Sequence, residues 1–322
     1  MDQMITPLID ALGAARKAVN ARVVGQEAVV DQVLIALICG GHVLLEGTPG
    51  VGKTLLVRTI GEVTGLDFGR VQFTPDLMPA DVTGAVSLNP DENGRLRAEF
   101  QQGPVFTQIL LADEINRATP RTQSSLLEAM QEGTVTVAGK TMELPKPFLV
   151  LATQNPVEMD GTYLLPEAQI DRFLFKSMVT YPSEDALDAI LDMTPQTIAP
   201  VKQQLDTQKV LALQALVRQV PMADSLRRAV ARFSRQSQPD SPEAPQMVKD
   251  NLRWGLSPRG AQAFVLAARG NALLHGRAHV GAEDLRAVLT PIARHRLMPS
   301  YRAVSANTDI DALALKLLND LL

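Results

Sequence analysis

The chain contains little of several residue types: of 322 residues one is cysteine, 4% are aromatic, and the formal net charge is only −4. The single cysteine, Cys39, cannot form a disulfide within the chain, and its apolar surroundings "VLIALICGG" predict a small buried side chain in a reducing compartment. A charge of −4 gives no electrostatic basis for strong nucleic-acid binding. No apolar run approaches the roughly 18 residues of a membrane span, and the start "MDQMITPLIDALG" lacks the apolar region of a signal peptide. We therefore expect a cytoplasmic protein without a membrane span.

The chain has ample material for a packed core, because 46% of its residues are apolar. Its length fits a large domain followed by a smaller one. In the first part, short apolar runs alternate with helical segments, which predicts a three-layer α/β domain over residues 1–181 with a mainly parallel sheet. The runs are "HVLLE", "FGRVQF", "QILLAD", "FLVLAT" and "FLFKSMV".

The second part, residues 182–322, is predicted to be a separate all-helical domain, because strand patterns stop near Tyr181. Its Ser/Gln/Pro-rich stretch "SRQSQPDSPEAPQ" predicts a mobile loop. The closing stretch "DIDALALKLLNDLL" has the spacing of an amphipathic helix.

The stretch "GTPGVGKT", residues 47–54, follows an apolar strand and precedes a helical segment. It matches the pattern G-x-x-x-x-G-K-[ST], whose glycines allow successive N–H groups to face one anion at a helix start. Lys53 would reach the outer phosphates of a nucleoside triphosphate, and Thr54 would hold magnesium. The alternative is an ordinary glycine turn between a strand and a helix.

Two carboxylates, Asp113 and Glu114, follow the apolar strand 109–112, at the end of the sheet where ligands of open α/β sheets bind. Asp113 suits the magnesium shell, and Glu114 suits activation of an attacking water. Alone, the two would be read as capping residues before a helix. Beside the phosphate loop they favour hydrolysis of ATP by water.

Three further polar residues are candidates for the same reaction. Asn155 ends another strand, "FLVLATQNP", and can orient a water or a phosphate without adding charge. Arg172 either pairs with a local carboxylate or projects as a finger into the ATP of a neighbouring subunit. Arg259 follows Ser257 and Pro258, a capped helix start, and could touch a phosphate of its own subunit or a neighbour's.

Taken together, "RVVGQ", "HVLLEGTPGVGKTLLV", "RVQFTPDLMPADVTG", "LLADEINRATPRTQSSLLEAMQEGTV" and "ATQNPVEMDGTYLLPEAQIDRF" resemble the MoxR family of AAA+ ATPases. The resemblance covers the first part nearly end to end, and "LSPRG" with "HGRAHV" extends it into a helical lid. It implies a P-loop core with strand order 5-1-4-3-2, ATP and Mg²⁺ as cofactors, a ring hexamer, and a partner carrying a von Willebrand factor A domain. The lid departs from the family pattern, because "RFSRQSQPDSPEAPQMVKDNLRWGLSPRG" lacks the expected "TR" before its loop.

The resemblance also implies roles for individual residues. Asn155 corresponds to sensor 1, Arg172 to the arginine finger and Arg259 to sensor 2, while Asp113 and Glu114 form Walker B and Thr54 joins Asp113 on the metal. The nucleotide-binding residues would be Val24 and Gly25 of "RVVGQ" and the Walker A residues Gly47, Thr48, Pro49, Gly50, Val51, Gly52, Lys53 and Thr54.

Two predicted hairpins are not needed to bind ATP. One spans about residues 82–103 around Asn93–Gly94, and the other about 133–146 around Gly139. In the family these are the helix-2 insert and the hairpin before sensor 1, which face the pore or upper surface of the ring. Their basic residues Arg95, Arg97 and Lys140 are either substrate contacts or solvated tips.

Our reading is a ring ATPase that remodels or activates another protein. A nucleic-acid motor is the rival from another class, against which the net charge and the scarcity of hairpin aromatics argue. A magnesium-chelatase-type motor subunit and a phosphotransferase are further alternatives, the latter disfavoured by Glu114. His275 and His279 are four residues apart, but flanking glycines place them across a turn rather than on one metal-binding helix face.

Overall fold

A computed structural model of the protein describes residues 2–48, 50–90, 96–155, 162–193 and 201–322. The strands are β1 (Val43–Glu46), β2 (Phe68–Gln72), β3 (Gly84–Pro90), β4 (Leu96–Gln102), β5 (Ile109–Asp113), β6 (Thr134–Val137), β7 (Lys140–Glu143), β8 (Leu149–Gln154), β9 (Phe175–Met178), β10 (Leu252–Trp254) and β11 (Met298–Pro299). The helices are α1 (Asp2–Asn20), α2 (Glu27–Cys39), α3 (Lys53–Thr64), α4 (Pro79–Thr83), α5 (Pro120–Glu132), α6 (Glu167–Ile170), α7 (Glu184–Leu191), α8 (Thr207–Val217), α9 (Asp224–Gln236), α10 (Gln246–Asn251), α11 (Pro258–Leu274), α12 (Ala282–Ala293), α13 (Tyr301–Ser305) and α14 (Ile310–Asn319).

The central sheet has five strands in the order β2-β5-β8-β1-β9, and all of its pairings are parallel. All five apolar runs singled out in the sequence are its strands. When these five strands alone are numbered 1 to 5 along the chain, their order in the sheet, starting from β9, is 5-1-4-3-2. The strand order implied by the family resemblance is therefore confirmed. The parallel pairing brings the carboxyl ends of β1, β5 and β8 to one edge of the sheet.

Helices cover both faces of the sheet, because successive residues of a strand point to opposite sides. Val43 and Leu45 of β1 pack with α2 and α3 in one hydrophobic cluster. Leu44, between them, packs with α5 in a second cluster. The predicted three-layer αβα architecture is therefore confirmed.

Both predicted hairpins are formed. Strands β3 and β4 pair antiparallel from Gly84↔Gln102 to Pro90↔Leu96, and β6 pairs with β7 around Ala138 and Gly139. The latter two residues have φ of 49° and 77°, as a two-residue hairpin turn of this hand requires. The predicted Asn93–Gly94 turn and Arg95 lie outside the described residues, whereas Arg97 and Lys140 are exposed.

The part beyond β9 is mainly helical, as predicted, with two corrections. Strands β10 and β11 pair antiparallel, and at three and two residues they are too short to show any periodicity in the sequence. The Ser/Gln/Pro-rich stretch is held by specific bonds rather than free: the Ser237 hydroxyl, which is buried, accepts from the Leu256 N–H at 2.9 Å, and Gln238 bonds both Gly255 and Leu256. The last residue of this stretch, Gln246, begins α10.

Cys39 ends α2 as the buried side chain that the sequence predicts. It lies against Gly270 of α11, where any Cβ would come within 2.8 Å of the Cys39 sulfur. Helices α2 and α11 are thus in close contact. In the described part of the chain, no helix is long and apolar enough to cross a lipid bilayer.

Candidate functional site

The phosphate-loop sequence forms a turn between β1 and α3, and its glycines are required by the backbone. Gly50 and Gly52 have φ of 83° and 84°, in the left-handed region that favours glycine. A Cβ on Gly47 would lie 2.3 Å from the carbonyl oxygen of Val179, so the loop can pass this strand end only with glycine. The loop therefore leads directly into the amino end of α3, where backbone N–H groups favour an anion. Pro49 lies outside the described residues.

Lys53, the first residue of α3, folds back over the loop. Its ammonium donates to the Gly47 carbonyl at 2.6 Å. Burial lowers the pKa of Lys53, while the neighbouring carboxylates of Asp113, Glu114 and Glu46 act in the opposite direction. The site thus contains a partly buried cation facing a group of carboxylates, which suits the binding of a phosphate with its metal.

Asp113 is the last residue of β5, and two neighbours fix its carboxylate. Thr153 of β8 donates to Oδ1 at 2.6 Å, and Arg70 of β2 donates to Oδ2 at 2.7 Å. The Thr153 hydroxyl also accepts from the backbone N–H of Glu114 at 2.8 Å. One threonine therefore sets the relative position of the two carboxylate residues.

Glu114 has a left-handed backbone, with φ of 56°, which is unusual for a residue other than glycine. Its Oε2 accepts from Gln72 Nε2 at 2.7 Å and from Arg117 Nη1 at 3.0 Å. Sequence reasoning missed Arg70, Gln72 and Arg117. The available signal was in "FGRVQF", where Arg70 and Gln72 are polar residues on the same side of a strand that ends beside Asp113.

These elements enclose a polar cleft of about 200 Å³. Its lining residues are Gly50, Gly52, Lys53, Thr54, Asp113, Glu114, Thr153 and Asn155. The structure therefore brings the predicted phosphate, metal and water-activating residues together. A hydroxyl and a carboxylate beside a lysine and open glycine backbone form a donor set that fits magnesium bound to phosphate oxygens.

A more apolar slot of about 240 Å³ adjoins this cleft, and Gly50 and Gly52 line both. The other lining residues are Arg22, Val23, Val24, Gln26, Val51, Leu55, Tyr181, Pro182, Leu187, Ile190 and Met193. Gln26 closes the loop side by donating to the Val51 carbonyl at 2.6 Å. The slot is in the right place for the base of a nucleotide whose phosphates lie on the loop.

Val24 lines this slot as expected, but Gly25 does not. With φ of 77°, Gly25 allows α7 to approach, since a Cβ there would lie 2.7 Å from the Cβ of Ala186. Gly25 therefore shapes the slot indirectly, by admitting the helix that carries Leu187 and Ile190. The sequence pattern of α7 gave no indication of this role.

Arg172 and Arg259 lie elsewhere. Both line a separate cleft of about 760 Å³, together with His42, which precedes β1. In the ladder of β1 with β9, Val43 pairs with Phe175 and Glu46 with Met178, so the segment before Phe175 is at the amino edge of the sheet. The phosphate loop follows the other end of β1, at the carboxyl edge of the sheet. The length of the β1–β9 ladder, about 10 Å, separates the two edges.

Neither arginine side chain is bonded to another part of the chain that the structure describes. Across the described residues, the side chains of Arg172 and Arg259 take part in no hydrogen bond or ion pair. The Ser257 hydroxyl accepts from the Gly260 N–H at 3.0 Å, which shows that the predicted cap at the start of α11 is formed. The structure thus assembles the phosphate and carboxylate residues in one cleft and the two arginines in another.

Three of the four histidines, His42, His275 and His295, form hydrogen bonds with backbone carbonyls. His275 directly follows α11, and its Nδ1 bonds the Asn271 carbonyl at 2.9 Å. His42 bonds the Met130 carbonyl and accepts from the Val150 N–H, both at 3.0 Å.

Comparison with known proteins agrees with this geometry. A model of the ATPase family associated with various cellular activities (AAA) matches residues 42–175, and a model of the AAA lid domain matches residues 245–313. Fold and site therefore define an AAA+ ATPase with its lid.

Full-length relatives narrow the assignment. The chain is 43% identical over 289 residues to the uncharacterized protein YeaC of Bacillus subtilis, with 89% of this chain and 87% of the relative covered. It is also 43% identical over 283 residues to the Chaperone MoxR1 of Mycobacterium tuberculosis, covering 88% and 74%. A crystal structure of a proposed ATPase from Cytophaga hutchinsonii matches with a TM-score of 0.91 at 34% identity, covering 99% and 96%. The chain belongs to the MoxR family of AAA+ ATPases.

Proposed function

We propose that this protein hydrolyses Mg-ATP as a ring of identical subunits and uses the reaction to remodel or activate a partner protein. The observation that carries the proposal is the division of its polar residues between two edges of the sheet. Lys53, Asp113 and Glu114 line the cleft at the carboxyl edge. Arg172 and Arg259 line the cleft at the amino edge.

In the cleft at the carboxyl edge, the loop N–H groups and Lys53 bind phosphate oxygens, and the adjoining slot holds the base. Thr54 and Asp113 would hold the magnesium ion, which neutralises phosphate charge when bound. The Thr153 and Arg70 bonds keep the Asp113 carboxylate in a fixed orientation. Such fixed charges need no rearrangement when the reaction begins.

Glu114 accepts the proton of the attacking water, and Asn155 orients that water or the terminal phosphate. Gln72 and Arg117 hold the Glu114 carboxylate through the same oxygen. A water that attacks the terminal phosphorus gives ADP and inorganic phosphate, and its proton is carried away by Glu114. The position of Glu114 directly after Asp113 therefore favours water as the acceptor and disfavours transfer to another group.

The two arginines suit the ATP of a neighbouring subunit, because the sheet separates them from the phosphate loop of their own chain. A guanidinium supplied across an interface stabilises charge on the transferred phosphoryl group. A head-to-tail contact would place the amino edge of one subunit's sheet against the carboxyl edge of the next. Repetition of this contact gives a closed ring when the rotation between neighbouring subunits divides a full turn evenly. We propose a hexamer, as the family resemblance implies.

The work is proposed to be done on a protein. A relative named Chaperone MoxR1 supports this class of function, and a von Willebrand factor A domain protein is the partner that the resemblance implies. The β3–β4 and β6–β7 hairpins are available for contacts outside the ATP site. DNA-stimulated turnover would instead favour the nucleic-acid motor.

The test uses two variants, one from each edge. Glu114→Gln should bind ATP but hydrolyse it at least ~100-fold more slowly, since the base is lost. Arg172→Ala should also bind ATP and should lose roughly 10³-fold or more in rate. The exposed Arg302, on α13, serves as the control in Arg302→Ala, which should behave like wild type.

The two inactive variants are then mixed at varied ratios and phosphate release is measured. Partial recovery is expected, because some junctions then combine an intact Glu114 with an intact Arg172 from the next subunit. An ATPase that works as a monomer cannot recover in this way. Absence of recovery in rings shown to exchange subunits would return Arg172 to a structural role.

A further inference from the structure

Arg296, three residues beyond α12, is the most fully bonded cation of the described chain. It is only 5% exposed. Its Nε donates to Asp171 Oδ1 at 2.6 Å, Nη1 to the carbonyls of Leu174 and Ile292 at 3.1 and 3.0 Å, and Nη2 to those of Asp171 and Phe173 at 3.1 and 2.8 Å. A guanidinium has five N–H donors, so all of them are used.

Four of these five bonds go to the short segment 171–174, which carries Arg172. The preceding residue, His295, adds a bond to the Phe173 carbonyl at 3.1 Å. Burial, and then the charge of Arg296, lower the pKa of His295 well below its usual value, so the ring is neutral and donates through Nε2. The backbone on both sides of Arg172 is therefore held by the lid.

The stem of Arg296 also touches the start of α11. A Cβ on Gly260, next to Arg259, would lie 2.8 Å from Arg296 Cδ. Burial lowers the pKa of Arg296, Asp171 opposes that shift, and the positive charge of Arg259 adds to it. One buried guanidinium thus contacts the chain beside Arg172 and beside Arg259, residues 87 positions apart in sequence.

We propose that Arg296 is a positioning residue that holds Arg172 and Arg259 as one rigid pair facing the neighbouring subunit's ATP. The inference rests on the proposed function, in which both arginines act across an interface. Since neither side chain is bonded to the residues that the structure describes, its direction depends on the backbone that Arg296 fixes. Arg259 and Arg296 both lie in the region matched by the lid model, so Arg296 also ties the segment that carries Arg172 to the lid.

The test is the conservative change Arg296→Lys, which retains the charge but loses the five-donor fork. We expect ATP affinity and KM within about 2-fold of wild type and a kcat roughly 10- to 100-fold lower, the scale of a small misplacement of catalytic groups. Arg294→Lys is the matched control: Arg294 lies two residues away and pairs with Asp311 of α14 at 2.8 Å instead. It should keep wild-type kcat.

Mixing separates positioning from general damage to the subunit. Arg296→Lys should regain activity with Glu114→Gln and not with Arg172→Ala, because its defect is on the arginine side of the junction. A general loss of structure would also damage its own ATP cleft, raise KM and prevent recovery. Wild-type kcat, or recovery with Arg172→Ala, would overturn the inference.

A parallel mixture of Arg172→Ala with Glu114→Gln distinguishes failure of the positioning role from failure of the proposed function. If this mixture recovers activity and the mixture of Arg296→Lys with Glu114→Gln does not, only the positioning role is rejected. If the mixture of Arg172→Ala with Glu114→Gln fails to recover, the proposed function itself is rejected. If Arg296→Lys does not fold, Asp171→Asn replaces it, since this change removes only the ionic partner. We expect Asp171→Asn to have a reduced kcat and, like Arg296→Lys, to regain activity with Glu114→Gln but not with Arg172→Ala. A wild-type kcat for folded Asp171→Asn would then overturn the inference.

Discussion

Acid should destabilise the protein through His42, whose buried ring joins three elements of the core. The residue is 7% exposed. Its Nε2 donates to the Met130 carbonyl of α5, and its Nδ1 accepts from the Val150 N–H of β8. Only the neutral ring can make both bonds, because a second proton would face the N–H of Val150. Burial accordingly lowers the pKa of His42 from 6.5 to about 4, although the Met130 bond acts slightly in the other direction.

The direction of this pH effect on stability follows from proton linkage. Between pH 6.5 and about 4 the unfolded chain binds a proton at His42 and the folded chain does not, so stability falls as the pH falls. Above pH 6.5 both states are neutral and the contribution is complete. For these two pKa values the loss from pH 7 to pH 5 is about 2 kcal/mol.

The measurement compares wild type with His42→Gln by urea unfolding at pH 7 and pH 5. Glutamine can donate and accept but does not titrate. Other groups, including His295, titrate in both proteins and cancel in the comparison. Wild type should lose about 2 kcal/mol more than the variant over this range. Equal losses would refute the assignment of a neutral, doubly bonded His42.

Two further predictions concern the ATP cleft. Lys53→Ala should abolish binding of an ATP analogue, measured by calorimetry, because the outer phosphates lose their cation; undiminished binding would remove the phosphate-loop assignment. Gln72→Ala should leave ATP binding unchanged and lower phosphate release about 10-fold, since a hydrogen bond to the charged Glu114 is lost. Glu99, exposed on the β4 hairpin strand, offers a control in Glu99→Ala, and a wild-type rate for the Gln72 variant would show that Glu114 needs no support from β2.

The sequence predicted best what is local and strongly patterned. Strands β1, β5 and β8 are buried on both faces and so read as continuous apolar runs. The phosphate loop and the Ser257 cap are likewise specified by residues a few positions apart. The sheet, the cleft residues and the start of α11 could therefore be predicted from these local patterns.

What the sequence could not show depends on long-range pairing. Arg296 and Asp171 are 125 positions apart, and nothing in the pattern marks this arginine as buried among the 31 basic residues of the chain. Gln72 looks like any polar strand residue until β2 is placed beside β5. The base slot depends on α7 approaching Gly25, which is equally invisible in the local pattern.

The contact of α2 with α11 bears on how the chain folds and how it could be divided. One continuous hydrophobic cluster runs from Val43 in the sheet through Cys39 to Phe264 in α11 and Leu317 in α14. No layer of solvent-facing side chains separates α2 from α11, because Gly270 brings these two helices into direct contact. Truncation after Tyr181 would uncover the apolar face of α2, which is buried along most of its length. The residues matched by the lid model therefore share one hydrophobic core with α2 and the central sheet, so we expect the parts before and after Tyr181 to unfold together.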